Sequence, residues 1–131
     1  MARYVVDTSV VLHMLSEEAQ PSTEHKLLAP TLIRSEVLDV LYRSVQRGEL
    51  SEEIALQRLA RFSEMKIRYL GDKVLRRRAW AAAEQLGWET TAVAEYVALT
   101  QLQADAFITL DQRLAAEIAG IVDTAPLSAI L

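Results

Sequence analysis

Two short apolar runs constrain this chain most. Tyr4–Val6 and Ala106–Leu110 are rich in β-branched and aromatic residues, too short for a core helix, and each is followed at once by an aspartate, Asp7 and Asp111. Behind each aspartate lies a stretch with helical character. Strand, acid, helix, given twice, predicts an α/β arrangement in which the acids stand at the carboxyl ends of the strands. Charge at these positions needs a reason, because a buried strand gains nothing from ending on a carboxylate.

The remaining chain alternates in the same sense. Val10–Leu15 reads as a short helix and the polar stretch 16–26 as a loop, with Pro30 placed to open a helix over about Thr31–Gln46 that Gly48 ends. Ser51, followed by two acids, caps a helix running to about Glu64. Lys66–Leu70 is a candidate strand, Asp72–Leu86 a helix closed by Gly87, and Thr91–Leu102 a further helix. After Asp111 a helix to about Ala119 leads into a short strand near Ile121–Val122. Alternation throughout predicts a three-layer α/β sandwich with a mostly parallel central sheet, formed by a single domain over residues 1–131.

Composition narrows the chemistry. Half of the 131 residues are hydrophobic (51 %), which suits a globular chain, and there is no cysteine, so neither disulfides nor thiolate metal sites are available. Two isolated histidines, His13 and His25, lack the spacing of a zinc site. Any metal here is held by oxygen. No apolar run approaches the roughly 18 residues of a membrane span, and Asp7 interrupts what would be a signal-peptide core, so the expectation is a cytoplasmic protein. A net charge of −4 gives no global attraction to nucleic acid, while leaving room for a local basic surface.

Asp7 and Asp111 share the carboxyl edge of the sheet, where ligands of open α/β sheets bind. Each also fits a simpler role as the cap of the helix after it, although Thr8 and Ser9 are able to cap in place of Asp7. Glu36 is more informative. It lies three residues after Ile33 and four before Val40, inside the apolar stripe of its own helix, so it faces inward. A lone buried carboxylate costs several kcal/mol, on the order of the penalty for any unpaired buried ion, unless an arginine or a cation compensates it. Asp39, one turn before Arg43, reads instead as half of an exposed ion pair. Carboxylates from separated parts of the chain, converging on one edge, are the ligand set of a hard cation such as Mg²⁺ or Mn²⁺, which activates water and neutralises a phosphodiester.

These residues, in this order, resemble a PIN domain, in particular the VapC-type toxin ribonucleases of bacterial toxin–antitoxin pairs. "VVDTSVV", "APTLIRSEVLDVLYR" and "EYVALTQLQADAFITLDQRL" carry the resemblance across nearly the whole chain. It implies a PIN-like fold, a Mg²⁺- or Mn²⁺-dependent endoribonuclease acting on RNA, a homodimer, and a cognate antitoxin that occludes the acidic site. The implied catalytic and metal-binding residues are Asp7, Glu36 and Asp111, with Glu95 as a fourth. Family members usually carry a third acid at the start of the helix before "YVAL", and here Val93 stands in its place. Glu95 is two residues on, about 200° around an ideal helix, and shares the face of Leu99 and Leu102. It is either the displaced ligand or a helix-start acid favoured by the dipole.

Other features have two readings each. Arg76, Arg77 and Arg78 suit RNA phosphates or a solvated helix surface; Trp80 and Trp88 suit base stacking or packing; Leu12, Leu15, Leu38, Leu41 and Tyr42 suit a partner surface or the core. Thr8 and Ser9 suit capping or orientation of Asp7. Two alternatives to a nuclease follow: a catalytically degenerate PIN domain that binds RNA or an antitoxin without cutting, and an aspartyl phosphotransfer domain, for which the second acid and the lysine are missing.

Overall fold

The structure, a computed structural model, describes all 131 residues. Four strands form one parallel sheet: β1 (Arg3–Val6), β2 (Lys26–Pro30), β3 (Ile67–Leu70) and β4 (Ala106–Ile108), in the spatial order β3-β2-β1-β4. Tyr4 pairs with both Leu27 and Ala106, and Leu28 with Arg68. Six helices connect and follow them: α1 (Thr8–Ser16), α2 (Ile33–Gln46), α3 (Glu52–Glu64), α4 (Lys73–Leu86), α5 (Ala92–Gln103) and α6 (Gln112–Glu117), with a 3₁₀ turn at Leu127–Ile130. None is long and apolar enough to cross a membrane.

Topology places the site. The chain builds outward from β1 to β2 to β3, then returns to lay β4 on the other side of β1. With right-handed crossovers, α1–α3 cover one face and α4–α5 the other, so the connections of β1 and β4 diverge and open a crevice at their carboxyl ends. Asp7 and Asp111 follow those two strands. The three-layer expectation holds.

The sheet is buried as a parallel sheet must be, with Val5, Val6, Phe107 and Ile108 fully enclosed in a core of 28 residues. Residues 94 and 96–100 of α5 are all buried, so this helix is enclosed on most sides rather than along one stripe. Gly87 ends α4 in the left-handed conformation at φ 69°, which a residue without Cβ adopts freely.

Three expectations are corrected. Lys26–Pro30, read as the end of a loop and the approach to a helix, is the strand between β1 and β3. Leu27, Leu28 and Ala29 are apolar without alternation because both faces of the sheet are covered, and Pro30 closes the strand three residues before α2 begins. Ile121–Val122 is no strand: both amide groups donate to the Ile118 carbonyl in a turn. The chain meets the sheet only at Thr124, through a single parallel bridge to Phe107. β4 is also shorter than expected, ending at Ile108, because Thr109 and Leu110 turn out of the sheet toward Asp111.

Candidate active site

Asp7 is the one acid in the core, 9 % exposed, and it caps α1 itself: the Val10 N–H donates to Oδ1 at 3.1 Å. Of the two readings, capping by Asp7 holds, and Thr8 and Ser9 do not take its place. Ser9 Oγ instead donates to the same oxygen at 2.6 Å, and Thr109 Oγ1 donates to Oδ2 at 2.5 Å. Hydroxyl and amide donors at the α1 N-terminus thus satisfy both oxygens of the carboxylate.

Asp111, exposed, caps α6 by accepting from the Leu114 N–H at 3.1 Å. Its own N–H donates to Thr109 Oγ1 at 3.1 Å, and the Leu110 N–H donates to Ser9 Oγ at 3.1 Å. Ser9 and Thr109 thus staple the turn after β1 to the turn after β4, which brings Asp7 and Asp111 to one crevice. Capping accounts for one oxygen of each aspartate, so the simpler reading of both is realised alongside whatever else they do.

Glu36 is half-buried on α2, inward as its place in the apolar stripe requires. Its Oε1 accepts from Tyr96 OH at 2.5 Å and from Thr8 Oγ1 at 3.2 Å. No arginine or lysine pairs with it. The ion pairs of the molecule are Arg43–Asp39 at 3.1 Å, as the i,i+4 spacing predicts, and Arg61–Glu18 at 3.9 Å. Glu36 is thus a charge compensated by two hydroxyls alone.

Glu95 is half-buried on α5 and its carboxyl is held above the ordinary range, by burial first and then by the negative charge of Glu36, with Arg76 pulling it back. Beside it, the Tyr96 phenol is pushed far up by burial, by its hydrogen bond to Glu36 and by the charges of Glu36 and Asp7, against a smaller opposing effect of Thr8. Tyr96 therefore stays protonated and donates to Glu36. Val93, where the resembled family carries an acid, is 37 % exposed.

The structure links Asp7 to Asp111 through Thr109, and Glu36 to α1 and α5 through Thr8 and Tyr96, with Glu95 in electrostatic reach of Glu36. In this arrangement no three acidic side chains lie close enough to share one ion. The donor set still suits a hard cation: it is all oxygen, no cationic side chain forms an ion pair with any of the four, and Glu36 Oε2 and Asp111 Oδ2 receive no hydrogen bond from the protein. Thr109 and Tyr96 join the site without having stood among the residues expected there. Their signals in the sequence are a hydroxyl two places before Asp111 at a strand end, and a polar-tipped ring next to the apolar run Val97–Leu99 of α5. Of the other candidates, Arg76, Arg77 and Arg78 are exposed, Trp80 is 67 % exposed, and Trp88 donates from Nε1 to Glu117 at 3.0 Å.

No protein-family model matches the chain, and no curated protein matches it by sequence. Solved structures do match. PAE2754 from Pyrobaculum aerophilum superposes with a TM-score of 0.78 at 18 % identity, covering 98 % of this chain and 91 % of that one. VapBC-1 from nontypeable Haemophilus influenzae gives 0.62 at 14 % identity over 96 % and 98 % of the two chains. VapBC2 from Rickettsia felis, bound to a DNA fragment from its promoter, gives 0.63 at 12 % identity over 95 % and 98 %. At these identities the likeness shows the fold alone: the chain shares the α/β architecture of PAE2754 and of chains in the VapBC structures.

Proposed function

We propose that this chain is the toxin of a toxin–antitoxin pair and a divalent-metal-dependent endoribonuclease that hydrolyses RNA phosphodiesters. The observation that carries the reading is that Asp7 and Asp111 are joined through Thr109 and Glu36 is joined to α1 and α5 through Thr8 and Tyr96, with Glu95 feeling the charge of Glu36 and no cationic side chain in an ion pair with any of the four. Acids held by hydrogen bonds alone, with no ion-pair partner, leave room for a cation to supply the missing opposite charge. Asp7, Glu36 and Asp111 would hold Mg²⁺ or Mn²⁺, with Glu95 in the part of the family acid missing at Val93. The ion supplies an acidified water and neutralises charge on the phosphate. The chain's own hydroxyls do the positioning: Thr109 and Ser9 fix Asp7 between the two turns, and Tyr96 and Thr8 fix Glu36.

A cognate antitoxin that occludes the acidic site, and a homodimer, belong to the same proposal. Leu38, Tyr42 and Leu56, all more than half exposed on α2 and α3, offer apolar surface beside a groove of about 930 Å³ between these helices. Solved toxin–antitoxin complexes of the same fold support such a partner.

The test is incubation of the purified, antitoxin-free protein with a mixed pool of structured RNAs in Mn²⁺, in Mg²⁺ and in EDTA, beside Asp7→Asn. Asparagine also caps helices well, so the variant keeps its fold. Cleavage that needs metal and is lost in Asp7→Asn is the expected result; cleavage in EDTA, or full activity of the variant, refutes it. Val93 favours a second reading, a degenerate domain that binds RNA or an antitoxin without cutting. RNA binding with no metal-dependent cleavage across the pool selects that reading.

A further inference from the structure

The opposite end of the sheet carries the opposite charge. Arg3 pairs in register with Lys26, and Leu27 with Ile67, so Lys66 stands beside Lys26. In a parallel sheet, residues in register point to the same face, and Arg68, two places after Lys66, returns to it. Three cations therefore stand in a row across three adjacent strands, about 4.8 Å from strand to strand, with a fourth beside the row. All four are exposed, and no carboxylate lies within ion-pairing distance of any of them. Like charges opposite one another on neighbouring strands destabilise a sheet. In a chain of net charge −4, that is an arrangement folding does not favour for its own sake.

The row borders a cavity of about 590 Å³ at the amino ends of the strands, which the nuclease reading does not use. Met1 and Leu28 give it an apolar lining on the side of the cations, and Leu27, Ile67 and Met65 line it from the other face of the sheet; His25 stands at its side, with Nδ1 accepting from the Ala2 N–H at 3.0 Å, which leaves Nε2 as the free ring nitrogen. Glu64 is the single acid that lines it. Asp105 is engaged close by, accepting from the backbone N–H of Arg3 at 2.8 Å. An apolar lining bordered by cations fits a ligand that joins a flat ring to a phosphate, and the volume lies in the range of ordinary ligand pockets.

We propose that this cavity binds a nucleoside phosphate, either as a free nucleotide or as the phosphorylated end of an RNA strand, with Arg3, Lys26, Lys66 and Arg68 on the phosphate and the base against the apolar lining on their side of the sheet, Met1 and Leu28. The site lies at the other end of the strands from Asp7, four residues or about 13 Å along β1. It is independent of any metal and of cleavage.

The experiment is done in EDTA, so that neither metal binding nor cutting enters it. AMP is titrated by calorimetry, and a short single-stranded oligoribonucleotide, 5′-phosphorylated or 5′-hydroxyl, by fluorescence anisotropy. The proteins are the wild type, Lys26→Gln/Lys66→Gln, and Arg77→Gln/Arg78→Gln on α4 as the control. The lysine pair should weaken binding about tenfold or more and flatten the salt dependence of log Kd for the 5′-phosphorylated oligonucleotide. The control should stay within about twofold of the wild type. AMP binding with no preference for the 5′-phosphate identifies a free nucleotide as the ligand; a 5′-phosphate preference with weak AMP identifies an RNA end. If the lysine pair fails to fold, Arg3→Gln/Arg68→Gln serves in its place. Equal binding by wild type and lysine variant, or no binding of AMP or either oligonucleotide, overturns the proposal.

Discussion

The Tyr96 hydroxyl donates to Glu36 Oε1 at 2.5 Å, joining the central helix α5 to the inward acid of α2. Removing that donor leaves the carboxylate with Thr8 alone. Tyr96→Phe keeps the buried ring and should cost about 1.5 kcal/mol, the lower end for a hydrogen bond to a charged group. Urea unfolding with an unchanged m-value measures it; a variant as stable as the wild type means that water replaces the phenol without loss.

Thr109 is the bridge between the two aspartates, donating to Asp7 and accepting from the Asp111 N–H. Thr109→Val preserves shape and removes both bonds. On the nuclease reading, metal affinity or cleavage should fall about 10–100-fold, as for other groups that orient metal ligands, and Thr109→Ser should restore most of it. Equal activity of Val and Ser variants would show that the hydroxyl positions nothing.

Glu95 gives a stability prediction whose sign follows from its raised carboxyl. The native state holds this proton to higher pH than the unfolded chain does, so ionisation of Glu95 opposes folding as pH rises above the usual carboxylate range. In metal-free buffer Glu95→Gln should raise Tm at neutral pH, and the gain should vanish below the ordinary carboxylate value, where Glu95 is protonated in both states. A variant that melts lower than the wild type at neutral pH would place Glu95 outside the repulsive cluster.

Phe107 is fully buried in β4, with its ring 6.1 Å from that of Tyr96. Phe107→Ala should destabilise by about 3–5 kcal/mol, the usual cost of removing a core aromatic ring. Because β4 delivers Thr109 and Asp111, its loss of packing should also weaken the Asp7 staple, which thermal melting together with the Thr109 assay would reveal.

How much is legible in the sequence follows from how local each signal is. Asp7 and Asp111 are readable because a β-branched run ending on an acid before a helix is a local pattern, and Glu36 because an acid inside an apolar stripe of α2 is a local contradiction. β2 is not readable: Leu27–Ala29 is a three-residue apolar run next to a proline, and only its neighbours on both sides make it a strand. Glu95 cannot be oriented from spacing, since α5 is enclosed on most sides and has no single inner face. Tyr96 and Thr109 escape notice because their hydroxyls matter only for partners 60 and 102 residues away.

On the nuclease reading the four acids hold a cation, and Mn²⁺ binding tests this without waiting for the right RNA. Calorimetric titration of the metal-stripped protein should show saturable Mn²⁺ binding that Asp7→Asn loses and Glu95→Gln weakens, with unchanged far-UV circular dichroism in both. Wild-type protein that binds no Mn²⁺, or an Asp7→Asn variant that binds it equally well, would refute the assignment of these carboxylates to a metal.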